Sequence, residues 1–149
     1  MKHSTRVSHA VHIMLFIVLN PTGSLTSEKI AESINTNPGY VRQLMSALRK
    51  YGLINSVKGH PKPALTKDIS NITLLDIYKA VEGDASLLHL DAHTNSECGV
   101  GINIQLALKK FFNQIQECAE HEMQCISLEN ILEQYYHRLS CFDKEPPSF

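Results

Sequence analysis

The chain has 149 residues, 43% apolar content and no low-complexity tract, which sets aside a disordered protein and favours one domain with an appended arm. No stretch of 18 or more apolar residues and no signal-peptide pattern after "MKHSTR" is present, so the expectation is a cytoplasmic protein with no membrane partner. The net charge of −1 argues against a nucleic-acid partner until its distribution is examined. Residues 1–67 hold nine Lys/Arg against two acids, a net of +7, and residues 68–149 hold five against thirteen, a net of −8. Such segregation suggests a basic half that reads DNA and an acidic half with another task, the bland alternative being that the halves attract each other.

Five or six helical segments and one hairpin follow from the periodicity. The first helix spans about Ser4–Leu19, with the stripe Val7, Ala10, Val11, Met14 and Val18 facing the core. A turn at "NPTGS" leads to a second helix, capped by Thr26, with Ile30, Ala31 and Ile34 inward. The third helix opens at Asn37 as cap and Pro38 at the first position, and it stops at Gly52. Val41, Leu44, Met45 and Leu48 form its buried face, whereas Gly39, Gln43, Ser46 and Lys50, flanked by Tyr40 and Arg42, form a polar, cationic face free of acids. A short helix, a tight turn and a second capped helix are the sequence form of a helix-turn-helix. "LINSV" and "ALTK" then pair across "KGHPKP" as a wing whose tip presents Lys58, His60 and Lys62.

Further along, "ITLLDIYKAVEG" has Thr73 and Asp76 spaced as a capping box, an apolar stripe of Leu74, Ile77, Tyr78 and Val81, and a stop at Gly83. Residues 84–101 lack periodicity and are expected to form a regulatory loop between a DNA-binding domain (1–83) and a C-terminal arm (102–149). In that arm Ile104, Leu108, Phe111, Ile115, Cys118 and Glu122 recur at spacings of four and three, a heptad-like seam. A long amphipathic helix beyond a small domain calls for a partner, most simply the same helix of a second subunit; packing on the first helix is the alternative. Ser127 caps a last helix, "LENILEQYYHRL". The fold class expected is therefore mainly α: a winged helix-turn-helix with a two-stranded β wing and a long C-terminal dimerisation helix.

A recognition helix needs one apolar face to lock it to its scaffold and one polar face to reach base edges. Gln43 has the chemistry to bond an adenine edge bidentately, and Arg42 or Lys50 to meet guanine or phosphate. Gly39 lets the helix N-terminus approach the backbone, and Tyr40 offers a hydroxyl to a phosphate. Thr26, Asn37, Gly39, Tyr40, Arg42, Gln43, Ser46, Lys50, Lys58, His60 and Lys62 are the DNA-binding candidates. No nucleophile elbow, phosphate loop, zinc-protease or dinucleotide motif occurs, so no catalytic residues are assigned and an enzyme is not expected. His89, His93 and Cys98 across the loop, or Cys118, His121 and Cys125 along one helix face, are conceivable metal sets, but neither has a strong ligand spacing and no metal is assigned.

"EKIAESINTNPGYVRQLMSALRKYGLINSVKG", followed by "ITLLDIYKAVEG", a cysteine-containing loop and a long helix, resembles the IscR/NsrR-type (Rrf-two) winged helix-turn-helix regulators of bacteria. The resemblance covers almost the whole chain. It implies a homodimer with crossing long helices, whose two helix-turn-helix units read a near-palindromic double-stranded operator, usually as a repressor. It also implies DNA contacts along Asn37–Lys50 and Lys58–Lys62. Two departures stand out: the wing keeps only Gly59 and then has prolines, and Arg42 occupies the place of a base-reading acid.

Sensing members carry three loop cysteines about six residues apart that hold an iron–sulfur cluster. Only Cys98 lies in this loop, and the positions six and twelve residues earlier are Ala92 and Ser86. No iron–sulfur cluster or other cofactor is therefore expected. "CGVG" at 98–101 is similar to the single-cysteine "CPVG"-type relatives, and a thiol just before a long helix is favoured as thiolate by the helix dipole. Cys98 is accordingly a redox candidate. The alternatives are a regulator with a small-molecule or metal effector and an inert Cys98, or a protein-interaction module of the same fold that has lost DNA reading.

Overall fold

A computed structural model describes residues 4–23, 25–55 and 62–142. Six helices and one small sheet run in the order α1 (Arg6–Leu19), α2 (Ser27–Ile34), α3 (Pro38–Tyr51), β1 (Ile54–Asn55), β2 (Ala64–Leu65), α4 (Leu74–Glu82), α5 (Gly99–Cys125) and α6 (Leu128–Phe142). A single 3-10 turn at Ile69–Asn71, capped by Asp68, stands between β2 and α4; the sequence reading did not include it.

The local chemistry of each terminus accounts for these boundaries. Thr26 accepts the Lys29 N–H at 3.3 Å, and Asn37 Oδ1 accepts the Tyr40 N–H at 2.8 Å. Asn35 ends α2 in the left-handed region at φ +62°. Gly52, at φ +87°, ends α3 with a Schellman closure: its N–H reaches the Arg49 carbonyl while Leu53 N–H reaches that of Leu48, both at 3.0 Å. Thr73 and Asp76 form the reciprocal capping box of α4 at 3.0 and 3.2 Å, and Ser127 and Asn130 form another at 2.9 and 3.1 Å before α6.

The core lies where α1, α3 and α4 meet. Ala10, Ile13 and Met14 of α1 are fully buried and Ile17 nearly so, against Ile30, Val41, Leu44, Leu48, Ile54, Ile72, Ile77 and Leu128. This corrects the stripe expected for α1. Val7 and Val11 are only half-buried, and Ile13 and Ile17 lie at the centre in their place. α1 is apolar around more than half its circumference and touches elements on several sides, so periodicity alone could not fix which ladder is deepest. In α3, by contrast, the predicted Val41, Leu44, Met45 and Leu48 are the buried set.

The hairpin pairs Ile54 with Leu65 and Asn55 with Ala64, antiparallel, and β2 stops at Leu65, short of the Lys67 the sequence suggested. α5 begins three residues earlier than expected, at Gly99, because Cys98 caps it: its Sγ accepts the Gly101 N–H at 3.4 Å. Glycines at 99 and 101 had marked loop. Gly101 serves close packing, since a Cβ there would stand 2.8 Å from Thr94 Cγ2 of the preceding loop.

α5 packs on α4. Lys79 pairs with Glu120 at 2.8 Å, while Gln116 bonds Glu120 at 2.9 Å and the Tyr78 hydroxyl at 3.3 Å. The carboxylate holds Lys79 above its ordinary value, and the ammonium and Gln116 hold Glu120 below its own. Where α5 turns into α6, Leu74 N–H bonds the Ile126 carbonyl and Leu128 N–H bonds that of Ile72, each at 2.8 Å. The corner is thus clamped to the segment entering α4, and Leu128 is fully buried there.

Candidate nucleic-acid interface and regulatory loop

α2, the three-residue turn Asn35–Asn37 and α3 make the helix-turn-helix, and the β1–β2 hairpin follows as the wing. α3 turns its apolar side into the core and leaves Arg42, Gln43, Arg49 and Lys50 exposed, with Gly39 and Ser46 half-buried. Lys62, before β2, is exposed; Lys58 and His60 lie outside the described residues. Thr26 and Asn37 have their side-chain oxygens committed to capping.

Three side chains have partners that sequence spacing did not reveal. Arg42 Nη1 lies 3.3 Å from Glu28 Oε1 of α2, both side chains well exposed. The Tyr40 hydroxyl sits 3.1 Å from His9 Nδ1 of α1, the rings edge-on with centroids 5.6 Å apart. His12 Nε2 meets the Ser33 hydroxyl of α2 at 2.8 Å. Burial and then the neighbouring His9 push His12 below the ordinary histidine value. His9 and His12 therefore tie α1 to both helices of the motif, a role invisible in a local pattern because Tyr40 is 31 residues from His9. Gly39 also has a local reason to be glycine, as a Cβ would press to 3.2 Å on the Asn37 cap oxygen.

Of the two ion pairs among the described residues, one lies within the basic half and one within the acidic half. Neither joins the halves, so among these residues the bland account of the charge segregation finds no support.

The loop before α5 is folded on itself: Asp91 accepts from His93 N–H at 2.8 Å and from the Thr94 hydroxyl at 3.2 Å, and Gln105 of α5 accepts the Asp91 N–H at 3.2 Å. Cys98, Cys118 and Cys125 are exposed free thiols, and Cys141 is half-buried. With a rise of about 1.5 Å per residue, Cys118 and Cys125 stand roughly 30 and 40 Å along the helix from Cys98. No group of three His, Cys, Asp or Glu suited to a metal forms among the described residues, so neither metal set considered from the sequence is assembled there.

The seam of α5 faces outward. Ile104, Phe111 and Ile115 are 53%, 56% and 47% exposed, Leu108 and Cys118 are exposed beside them, and no residue of this helix is buried. It does not pack on α1. Among the described residues no helix is long and apolar enough to cross a membrane.

A helix-turn-helix with a cationic outer face, a wing and a long arm with an outward apolar seam define a DNA-binding transcriptional regulator. The profile of the Rrf2 family, described as iron-dependent transcriptional regulators, matches residues 3–134, and the chain belongs to that family. It is 36% identical over 129 residues to YwnA of Bacillus subtilis (strain 168), a protein assigned as an HTH-type transcriptional regulator, covering 87% of this chain and 96% of the relative. A crystal structure titled as that of an assigned DNA-binding protein superposes with a TM-score of 0.70 at 35% identity, over 85% of this chain and 98% of that one. CymR, titled the global cysteine regulator of B. subtilis, shares the fold, with a TM-score of 0.62 at 23% identity over 88% and 95% of the two chains. These relatives are regulators and not enzymes.

The family description implies iron, and the donor set here does not fit a cluster held by one chain. Cys98 is the one loop thiol, and the thiols of α5 lie roughly 30 Å or more from it by helix rise.

Proposed function

We propose that this regulator is a homodimeric, sequence-specific repressor whose subunits pair through α5 and whose Cys98 loop receives a thiol-directed signal. The carrying observation is the exposed seam of Ile104, Leu108, Phe111, Ile115 and Cys118 on a helix clamped at its far end to the DNA-binding body. An apolar face of that extent on a 27-residue helix suits a second copy, and two-fold pairing would carry two α3 helices toward successive major grooves about 34 Å apart. In this reading Gln43 and Arg42 contact bases, Ser46 lies beside them, and Lys50, Lys58, His60 and Lys62 meet the backbone. Thr26, Asn37, Gly39 and Tyr40 hold phosphate at the helix ends.

Cys98 is exposed and caps α5, so modification of its sulfur would remove the bond it accepts from Gly101 and disturb the start of the pairing helix. A peroxide would oxidise the Cys98 sulfur to a sulfenic acid, itself being reduced to water or an alcohol, and condensation with a low-molecular-weight thiol would give a mixed disulfide and water. Cys118 and Cys125 of the same chain are too far to serve as partner thiols.

The test is binding to the gene's own upstream DNA, reduced and then oxidised, for the wild type and Cys98→Ser. Release of the wild type alone is the expected result. Equal binding by both in every state would make Cys98 inert and direct the search to a small-molecule or metal effector.

A further inference from the structure

At the head of α3 a histidine controls where a phenol proton can point. Tyr40 is the third residue of α3, beside a helix end whose dipole favours a phosphate, although Asn37 already takes the Tyr40 N–H and Pro38 has none to give. Its hydroxyl lies 3.1 Å from His9 Nδ1, with the two ring planes at 84°. A phenol has one proton to give. With Nδ1 unprotonated, the ring nitrogen accepts that proton, and Tyr40 turns only lone pairs toward a phosphate that itself offers lone pairs. With Nδ1 protonated, the ring donates to the Tyr40 oxygen, and the hydroxyl proton is free to turn outward. An imidazolium imposes the second arrangement and adds a positive charge beside it.

We propose that His9 is a proton-linked positioning residue for a Tyr40–phosphate contact, so that the regulator grips the DNA backbone more tightly as pH falls. The inference rests on α3 being the DNA-contacting helix. Among the described residues, the groups bonded to or acting on the pair are Tyr40 of α3 on His9 and Ser33 of α2 on His12, and the two rings act on each other. Among the described residues no carboxylate makes an ion pair with either ring. Burial and the proximity of His9 disfavour charge on His12, whose Nε2 meets the Ser33 hydroxyl. Binding of DNA would then take up a proton at His9, and its phosphate contact is independent of base sequence.

A labelled mixed-sequence duplex of about 30 base pairs at about 50 mM salt is therefore a sufficient probe. Affinity would be measured by anisotropy from about pH 8 to about pH 6, across the range in which a histidine changes charge. The wild type, Tyr40→Phe, His9→Gln and the double variant Arg42→Ala/Lys50→Ala would be compared. Tyr40→Phe keeps the ring in place and loses only the hydroxyl, and the His9→Gln amide can donate to Tyr40 at every pH. The wild type is expected to tighten by up to about tenfold on acidification, the effect of about one pKa unit at one site. Both single variants should show a shallower pH slope than the wild type, the residual slope being that of His60 at its proposed backbone contact, whereas the double variant should bind more weakly at all pH values with the wild-type slope intact. An equal pH slope in the wild type and Tyr40→Phe, or a flat wild-type profile, overturns the proposal. Undiminished binding by the double variant would instead show that α3 does not contact DNA, and would remove the reading on which the proposal stands.

Discussion

Arg42, proposed to contact DNA, is paired with Glu28 across the helix-turn-helix. Residues 1–67 contain only two acids, and one of them holds Arg42 at 3.3 Å on the outer face of the motif. With side chains 60% and 67% exposed, such a pair contributes about 0–1 kcal/mol to folding and is screened by salt. In the proposed DNA contact its consequence for binding is larger, because Glu28 both occupies Arg42 and would place a negative charge beside the phosphates. Glu28→Gln should leave the melting temperature nearly unchanged and strengthen binding to duplex DNA a few-fold at low salt. The gain should shrink as salt rises, since counterion release weakens. Unchanged low-salt affinity, in a protein that Arg42→Ala does weaken, would mean that the pair does not restrain Arg42.

At the scale of elements, strong caps and a narrow apolar stripe made helix limits and buried faces legible in the sequence, whereas the deepest face of the uncapped, broadly apolar α1 and the start of α5 were not. Asn37, Pro38 and Gly52 bounded α3, and Thr73, Asp76 and Gly83 bounded α4, because each residue type satisfies or terminates backbone groups by local chemistry. The start of α5 was misplaced since cysteine is not a usual cap and Gly99 and Gly101 lower helix propensity; only the packing of Thr94 on Gly101 shows why glycine suits that turn. The His9–Tyr40 and Arg42–Glu28 partners were illegible for a different reason, as they join separate helices and depend on how those helices cross. The seam of α5 was legible as a pattern, and its exposure gives it a testable role. Ile115, 47% exposed at mid-seam, should tolerate Glu without loss of helix content, since no neighbour buries it in the monomer. A charge in the core of a paired interface is costly, so Ile115→Glu should shift sedimentation toward monomer and weaken DNA binding by the loss of bivalent engagement. A variant that sediments as the wild type would place the subunit interface elsewhere.

For the whole molecule, the decisive connection is the corner between α5 and α6. A pairing helix can report a change at its start to α3 only if its other contacts are rigid. Two backbone bonds of 2.8 Å join the corner to the segment entering α4, the Lys79–Glu120 pair and Gln116 hold α5 to α4, and Leu128 enters the core shared with α1 and α3. Rotation of α5 would therefore move the helix-turn-helix with it, and in the proposed dimer a small rotation would break half-site register. Leu128 is the place to test this coupling, because it is fully buried but is not part of the outward seam. Leu128→Ala leaves a cavity and should cost about 2–5 kcal/mol. At about 2–4 °C per kcal/mol for a domain of this size, the melting temperature should drop by roughly 4–20 °C. Well below that temperature the variant should still dimerise, since α5 keeps its exposed face, yet bind a two-half-site operator less tightly while retaining wild-type affinity for a single half-site. The single half-site serves as the internal control: equal weakening on both probes would mean that α3 itself is disturbed. A melting temperature within about 1 °C of the wild type, less than a core cavity allows, would show that α6 does not belong to the core.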